Sequence, residues 1–146
     1  MTITPELIAA YKSTHFEVHT NEATITLEVD KPNPTFDRLL EVNEADSAVI
    51  ITAWNPWSKA QSREENNEKQ LRLEELLRKA GFTLIQAAGV DPSRKWESEQ
   101  SCCALGMKEL EGICWGKRHL QNAVIFHQAG KPSKLSICCN YQIDPK

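Results

Sequence analysis

The stretch SAVIITAWNPWSKAQSREENNEKQLRLEELLRKAGFTLIQA, residues 47–87, decides the fold of this chain. Residues 48–54 are almost continuously apolar, which is typical of a strand in the middle of a sheet. A helix follows, because Ser62 and Glu65 form a capping box and Gly81 supplies a stop signal. The residues after Gly81 are again strand-like. This order predicts a strand–helix–strand unit with two parallel strands and a right-handed crossover.

The flanking segments add further elements around this unit. Thr4 and Pro5 predict the start of another helix, as N-cap and first helical residue, and a short helix is expected at 35–43. We predict strands at 15–20, 23–29, 48–54, 82–87, 99–106, 121–127 and 135–142, with longer helices at 62–80 and 107–119. The chain is therefore expected to be one α/β (α+β) domain over residues 1–146. Its sheet should be mixed, with five to seven strands, helices packed on it and a central βαβ unit.

Composition and charge narrow the class of protein. With 146 residues, 40% hydrophobic and 25% charged, the chain has ordinary globular composition. A net charge of −3 argues against a protein that coats nucleic acid through bulk electrostatics. No apolar run is long enough for a membrane span, and the first residues lack the pattern of a signal peptide. We expect a cytoplasmic protein without membrane contact.

The five cysteines do not form a recognisable site. Cys102–Cys103 and Cys138–Cys139 are adjacent pairs, and adjacent residues on a strand point to opposite faces, which does not suit a disulfide. No spacing matches a zinc template. We expect buried, reduced cysteines and assign no metal site, while a redox or metal role of the adjacent pairs stays open.

Strand direction brings the unusual residues to one edge of the sheet. If strand 48–54 runs towards this edge, the strands at 99–106 and 121–127 start there, and the loop 88–98 lies there too. The residues expected along this edge are Asn55, Trp57, Asp91, Trp96, Glu99 and Gln121. Ligands of open α/β sheets bind outside the carboxyl ends of strands. Asn66 lies seven residues before Leu73 and so faces the sheet, where it needs a partner in the Asn55 turn or in a ligand.

Three short motifs resemble a known family. The segments ITAWNPWS…EEN, GVDP…W…E…S and QNAV are similar to the bacterial family DUF3293, over roughly residues 5–127. The positions that match its recurring residues are Asn55, Pro56, Asn66, Gly89, Trp96, Glu99, Ser101 and Gln121. The chain departs from the family pattern at SCCALGM and at His119–Leu120. The resemblance implies no activity, since the family has none established, but it points to the same edge and adds Ser101 to the candidates.

Glu99 is the candidate for acid–base chemistry, if the protein is an enzyme at all. A carboxylate at a strand start beside Trp96 is expected to have a raised pKa through desolvation. A structural salt bridge to Arg94, Lys95 or Arg118 is nevertheless the preferred interpretation, because structural ion pairs are common.

We interpret the edge as a small-molecule site, with Asn55, Asn66 and Gln121 orienting a ligand on which Trp57 or Trp96 stacks. The start of the helix at Ser62 favours an anion. Basic residues gather on the same edge: Lys59, Arg63, Arg94, Lys95, Lys117 and Arg118. A planar anionic ligand such as a nucleotide is therefore the preferred hypothesis, although no glycine-rich phosphate loop is present and the sequence identifies no cofactor.

Two other functions stay open. The tryptophan-rich edge is also typical of a non-catalytic interaction protein that binds a protein partner. Single-stranded nucleic acid is a third hypothesis, which the acidic net charge disfavours. The oligomeric state stays open as well, because strand 135–142 is expected at a sheet edge, where it could pair into a dimer.

Overall fold

The computed structural model describes the backbone of residues 2–138 and 140–141 and the side chains of residues 3–138. Its helices are α1 (Pro5–Ser13), α2 (Pro34–Val42), α3 (Arg63–Lys79) and α4 (Glu109–Arg118). Its strands are β1 (Thr2–Ile3), β2 (His15–His19), β3 (Thr24–Leu27), β4 (Ser47–Ile51), β5 (Thr83–Val90), β6 (Glu99–Leu105), β7 (Ala123–Gln128), β8 (Lys134–Ile137) and β9 (Asn140–Tyr141). A short 3-10 turn, Pro56–Ser58, follows β4.

Among the described residues, seven strands form one sheet in the order β3-β2-β5-β6-β4-β7-β8. This sheet and the four described helices confirm the α+β class and the predicted range of strand number. Every neighbouring pair in the sheet is antiparallel, so the predicted mixed sheet was wrong here. The parallel pair in the described chain is β1 with β9, which form a separate two-stranded sheet.

The predicted βαβ unit is split by β6. Strands β4 and β5 run in the same direction, as expected, but β6 pairs with both of them and lies between them. The cause is the long hairpin of β5 and β6, which pair from Thr83 with Leu105 to Gly89 with Glu99. Hairpin partners meet close in sequence, whereas a helical crossover does not require its two strands to be neighbours. The directions of all strands at the candidate edge are nevertheless the predicted ones.

Strand β4 ends earlier than predicted because side chains take over its backbone hydrogen bonds. The Ala53 amide donates to Gln70 Oε1 at 2.8 Å, and the Trp54 amide donates to Thr52 Oγ1 at 3.0 Å. Thr52 Oγ1 itself donates to the carbonyl of Gln100 at 2.6 Å. The chain therefore leaves the ladder at Ile51, three residues before the expected end.

Other boundaries shift by two or three residues. Strand β5 continues to Val90, so the following loop starts at Asp91 and not at residue 88. Strand β7 starts at Ala123 instead of residue 121. Of the last predicted strand, β8 covers the first part and lies at the end of the strand order, as expected, whereas residues 139 and 142 lie outside the described residues.

The sheet buries apolar side chains on both faces. Phe36 and Leu40 of α2 pack on one face with Ile50, and Leu73 and Leu77 of α3 pack on the other. In the inner strands β4, β6 and β7, alternate residues contribute to the two cores.

The described cysteines fit the expectation except at one position. Cys103 belongs to the core under α2 and Cys102 to the core under α3, so the adjacent pair faces opposite ways, as predicted. Cys114 is exposed, and the expectation that the cysteines are buried was wrong there. It points outwards from α4, which has only one side against the sheet. Cys139 lies outside the described residues.

Helix α3 confirms Ser62 as its N-cap, since Ser62 Oγ accepts from the Glu65 amide at 3.1 Å. The reciprocal bond of the predicted capping box is replaced, because the Glu65 side chain accepts from Ser62 Oγ at 3.0 Å. Arg78 and Lys79 lie in the last turn, where positive charge interacts favourably with the helix dipole. None of the described helices is both long and apolar enough to cross a bilayer.

Helix α1 is different, because it begins as predicted but packs loosely. Thr4 Oγ1 accepts from the Leu7 amide at 3.2 Å, and Pro5 is the first helical residue. No residue of α1 is buried. The helix therefore covers the sheet without filling the space beneath it.

Helix α4 approaches the sheet so closely that two of its positions require glycine. A Cβ atom on Gly112 would lie 2.8 Å from Cγ2 of Val49, and one on Gly116 would lie 2.5 Å from Sγ of Cys138. Val49 is fully buried in the interior strand β4 and, being β-branched, has few rotamers to move into. The two glycines lower the intrinsic stability of the helix, and the close packing of α4 on the sheet offsets that loss.

We predict that Gly112→Ala destabilises the protein. Alanine in an open helix position gains about 1 kcal/mol over glycine, but here the clash with Val49 should reverse the sign and lower the free energy of unfolding by about 1–3 kcal/mol. Urea unfolding measures the difference. Cys114→Ala, at an exposed position of the same helix, is the control and should change stability little. A stabilised Gly112→Ala variant would contradict the close approach.

Candidate functional site

The end of β4, the start of β6 and the segment before β7 meet at one edge of the sheet, as the strand directions predicted. Asn55 Nδ2 donates to Glu99 Oε2 at 2.9 Å, and Gln121 Nε2 donates to the Trp54 carbonyl at 3.1 Å. Two consecutive residues of the turn after β4 therefore each hold one side chain. Asn55 holds Glu99 at the start of β6, and Trp54 holds Gln121 in the segment before β7. Asn55, Glu99 and Gln121 are thus brought together.

Asn55 is the centre of this turn. Its backbone is left-handed, with φ 45° and ψ 65°, a conformation that asparagine tolerates better than most residues. Asn55 and Asn66 bond reciprocally: the Asn55 amide donates to Asn66 Oδ1 at 2.8 Å, and Asn66 Nδ2 donates to Asn55 Oδ1 at 2.9 Å. The amide of Gln61 donates to the same Oδ1 at 3.1 Å. Asn66 is buried and faces the turn, as its position in the helix predicted.

The turn contains backbone strain at two further residues. Trp57 and Ser58 also have positive φ values, 54° and 61°, although neither is glycine or asparagine. Each such residue costs on the order of 1–3 kcal/mol and persists only where its surroundings fix it. Here the Trp57 amide donates to the Leu120 carbonyl at 2.7 Å, and Asn122 Nδ2 donates to Ser58 Oγ at 2.9 Å.

Glu99 is a half-buried carboxyl group that forms no ion pair with any described lysine or arginine. The preferred interpretation, a salt bridge to Arg94, Lys95 or Arg118, was therefore wrong. Desolvation raises the pKa of Glu99 above its ordinary value, and the hydrogen bond from Asn55 opposes part of that rise. Its second oxygen, Oε1, has no hydrogen bond to a described residue.

Two more polar atoms beside the turn lack partners among the described residues. Trp54 is 7% exposed, and its indole Nε1 is buried without an acceptor. Gln121 is 4% exposed and uses Nε2 for the carbonyls of Trp54 and His119. Its Oε1 accepts no hydrogen bond from a described residue and is not fully buried. The described side-chain atoms that are both buried and without a partner are Nε1 of Trp54 and Nε2 of His119. Such atoms cost free energy unless a ligand or water satisfies them.

A cavity of about 470 Å³ is lined by the residues Trp54, Glu99 and Gln121. Trp54, Glu99, Gln121 and Ser101 line its polar end. Its apolar walls come from α1 and from the sheet face below, and include Leu7, Tyr11, Phe16, Ile50 and Ile125. The loose packing of α1 leaves this space open. Its volume lies in the range of small-molecule sites, roughly 300–1,000 Å³.

Not every predicted residue lines the cavity. Asn55, Asn66, Trp96 and Ser101 do, and Ser101 Oγ donates to the carbonyl of Glu99 at 3.2 Å. Trp96 is 40% exposed at the rim. Trp57 is outside the lining, where its amide fixes the turn.

Asp91 is also outside the lining and organises its own loop. Its carboxylate accepts from the Ser93 amide at 2.9 Å, from Ser93 Oγ at 2.7 Å and from the Lys95 amide at 2.8 Å. These bonds, led by the one from the Ser93 side chain, lower the pKa of Asp91. An aspartate one residue before proline commonly forms such a turn, which explains the arrangement.

The basic residues of the edge contribute little to the cavity. Among the described lysines and arginines, only Arg63 lines it, and Arg63 pairs with Glu97. Arg118 lies over the ring of Trp115, 4.5 Å from its centroid. The cations remain on the outer surface of the edge.

A second polar cluster lies elsewhere in the fold and was not predicted. His127 Nε2 is 2.6 Å from Asp37 Oδ1, and His127 Nδ1 is 2.8 Å from Ser133 Oγ. A serine–histidine–aspartate chain is the arrangement of many hydrolases, but Ser133 is 1% exposed and lines neither described cavity, so no substrate reaches it. The cluster joins α2 to β7 and the following loop. No group of three or more potential metal ligands occurs in the described part of the chain.

The family comparison agrees with the motifs of the edge. A model of the family described as a protein of unknown function, DUF3293, matches residues 51–124, half of the chain. The chain belongs to this family. The match is shorter than the range of 5–127 expected from the motifs. No curated protein and no solved structure matches the chain.

The matched segment of this DUF3293 protein contains the polar end of the cavity but not all of its walls. Asn55, Asn66, Glu99 and Gln121 lie within it, whereas Tyr11 and Phe16 precede it. Sequence reasoning missed these two residues and the indole nitrogen of Trp54. The spacing of Leu7 and Tyr11 marks an apolar side of α1, but it does not reveal that a cavity separates that side from the sheet.

We predict that Asn66→Ala destabilises the fold, because it leaves the Asn55 amide without an acceptor. The expected loss is about 1–3 kcal/mol in the free energy of unfolding. Asn67→Ala is the matched control: Asn67 is exposed on the next position of α3 and should change stability by less than about 0.5 kcal/mol. Equal effects of the two variants in urea unfolding would contradict the role of the asparagine pair.

A second prediction concerns Glu99→Gln and pH. Glutamine keeps an acceptor for Asn55 but carries no charge. The pKa of Glu99 is raised in the folded state, so the folded protein holds this proton more tightly than the unfolded chain does. The resulting contribution to the free energy of unfolding is fully present at pH values below the ordinary pKa of 4.5. It is lost as the pH rises through the pKa of the folded state. We therefore expect Glu99→Gln to gain stability relative to the natural protein as pH rises from about 4 to about 8.

Unfolding in urea at both pH values measures this difference. Glu22→Gln, at an exposed turn, is the control and should show no such change with pH. A stability difference for Glu99→Gln that is independent of pH would contradict a desolvated carboxyl group.

Proposed function

We propose that this DUF3293 protein is a small-molecule-binding domain. Its ligand occupies the cavity between α1 and the sheet. The polar end of the ligand meets Glu99 and Gln121, and its body lies against the apolar wall formed by Tyr11 and Phe16. Asn55 and Asn66 position the polar end without needing to touch the ligand.

The observation that carries the proposal is that two unused acceptor oxygens belong to residues at one end of a cavity. These are Oε1 of Glu99 and Oε1 of Gln121, neither of which bonds to a described residue. Small-molecule sites typically combine apolar walls with a few placed polar groups. The strain at Trp57 and Ser58 adds support, since strained backbone clusters at functional sites.

Binding is a better-supported function than catalysis. The described titratable side chains include none that hydrogen-bonds or pairs with Glu99, so no acid–base partner or nucleophile accompanies it. The lining also gives little support to a nucleotide or another anion, because Arg63 is already paired with Glu97 and Glu99 would repel negative charge.

The interaction-protein hypothesis has less support than the ligand hypothesis. It requires several exposed indoles, whereas Trp54 is buried, Trp57 is half-buried and Trp96 alone of the three is exposed, at 40%. A concave surface also suits a ligand better than a flat protein partner. Single-stranded nucleic acid needs the same exposed stacking surfaces and is disfavoured for the same reason.

A large side chain introduced on α1, at a position that lines the cavity, tests the proposal. Ala10 and Ala9 are both exposed on α1, but only Ala10 lines the cavity. A library of neutral, cationic and anionic metabolites is screened by saturation-transfer NMR against the natural protein. We expect saturable binding that shifts the Trp54 indole resonance, is lost in Ala10→Trp and persists in Ala9→Trp.

The tryptophan at position 10 should block the site because it adds a large side chain to a cavity of about 470 Å³. Absence of any hit that shifts the Trp54 indole would refute the proposed function. Hits that bind both variants equally would show that the cavity is not their site.

A further inference from the structure

We infer that the ligand carries a protonated nitrogen, in an ammonium, amidinium or guanidinium group, and that Glu99 and Gln121 bind this group. The inference rests on the proposed function, since it assigns the chemistry of a ligand for the same cavity. It follows from the type of the unused polar atoms, from the charge of the lining and from the nature of the walls.

The unused oxygens of Glu99 and Gln121 determine which kind of group they can bind. Oε1 of Glu99 and Oε1 of Gln121 are both acceptors, so the group that meets them must supply N–H or O–H donors. Both side chains are held by the same turn: Trp54 accepts from Gln121, and Asn55 donates to Glu99. Because both acceptors are fixed by bonds from their other atoms, they are preorganised for a donor-rich group.

Glu99 also brings an uncompensated charge to the cavity. It lines the cavity without a cation from the described residues, whereas the neighbouring Glu97 is paired with Arg63. A half-buried carboxylate without a counter-charge is costly, and desolvation accordingly raises its pKa. A cationic ligand supplies the counter-charge and gains from the low local dielectric, whereas an anion would be repelled.

The walls of the cavity include aromatic rings. Aromatic side chains of Tyr11, Phe16 and Trp96 line the cavity and its rim. Aromatic rings pack against an apolar body and also attract cations through their faces. The inferred ligand class is therefore a small organic cation with an apolar body.

Three probes of the same shape test the inference: benzamidine, benzamide and benzoate, which are cationic, neutral and anionic. Each is titrated into the natural protein, Glu99→Gln and Glu64→Gln, with the Trp54 indole resonance as the readout. Glu64 is exposed near the start of α3 and does not line the cavity, so it controls for general attraction by surface acids.

We expect benzamidine to bind the natural protein more tightly than benzamide by about tenfold or more, with benzoate weakest. Glu99→Gln should remove this preference and leave benzamide binding nearly unchanged, while Glu64→Gln should keep it. Because glutamine retains the acceptor for Asn55, the variant should fold, and its amide spectrum verifies that.

The inference is overturned if benzamide or benzoate binds as well as benzamidine, or if Glu99→Gln leaves the preference for benzamidine intact. It is equally overturned if none of the three probes shifts the Trp54 indole. None of these results decides the proposed function. That proposal is tested separately, by whether Ala10→Trp removes the binding of library hits.

Discussion

The reciprocal hydrogen bonds between Asn55 and Asn66 are the constraint on which the rest of the site depends. They join the turn after β4 to the first turns of α3 and fix Asn55 in a left-handed conformation. The remaining amide donor of Asn55 then reaches Glu99 on β6. Few side chains fulfil all three tasks, because the residue must donate, accept and tolerate a positive φ. Asn55 therefore fixes the relative positions of the turn after β4, helix α3 and strand β6 at the polar end of the cavity.

The structure retains features at this edge that are unfavourable for stability alone. Glu99 is desolvated without a cation, the indole nitrogen of Trp54 is buried without an acceptor, and two non-glycine residues have strained backbones. Natural proteins concentrate such violations at functional sites, where a bound group offsets the cost. Helix α1 contributes no fully buried residue, and its Tyr11 packs, partly buried, against the core under α2.

Helix α3 shows how far periodicity alone predicts a buried face. The spacing of apolar residues in this helix predicts a buried stripe of Leu73, Leu76, Leu77 and Ala80. The structure buries Leu73 and Leu77, half-buries Leu76 and exposes Ala80. The buried face also contains Gln70 and Glu74, which are 0% and 3% exposed. Gln70 bonds the backbone where β4 leaves the ladder, and Glu74 accepts from Gln70 and Gln86. Hydropathy cannot predict this, since a glutamine is buried only where a distant backbone group needs its oxygen.

The sequence by itself determined the helix caps at Thr4 and Ser62, the direction of each strand at the edge, the inward position of Asn66 and the family. These features depend on local hydrogen bonds and on the spacing of apolar residues, which are properties of short segments. Tertiary structure decided that β6 separates β4 from β5, that Asp91 and Trp57 fix loops outside the cavity, and that α1 leaves a space above Phe16. Strand order and cavities depend on the free energy of contacts between distant segments, and no short stretch of sequence contains that information.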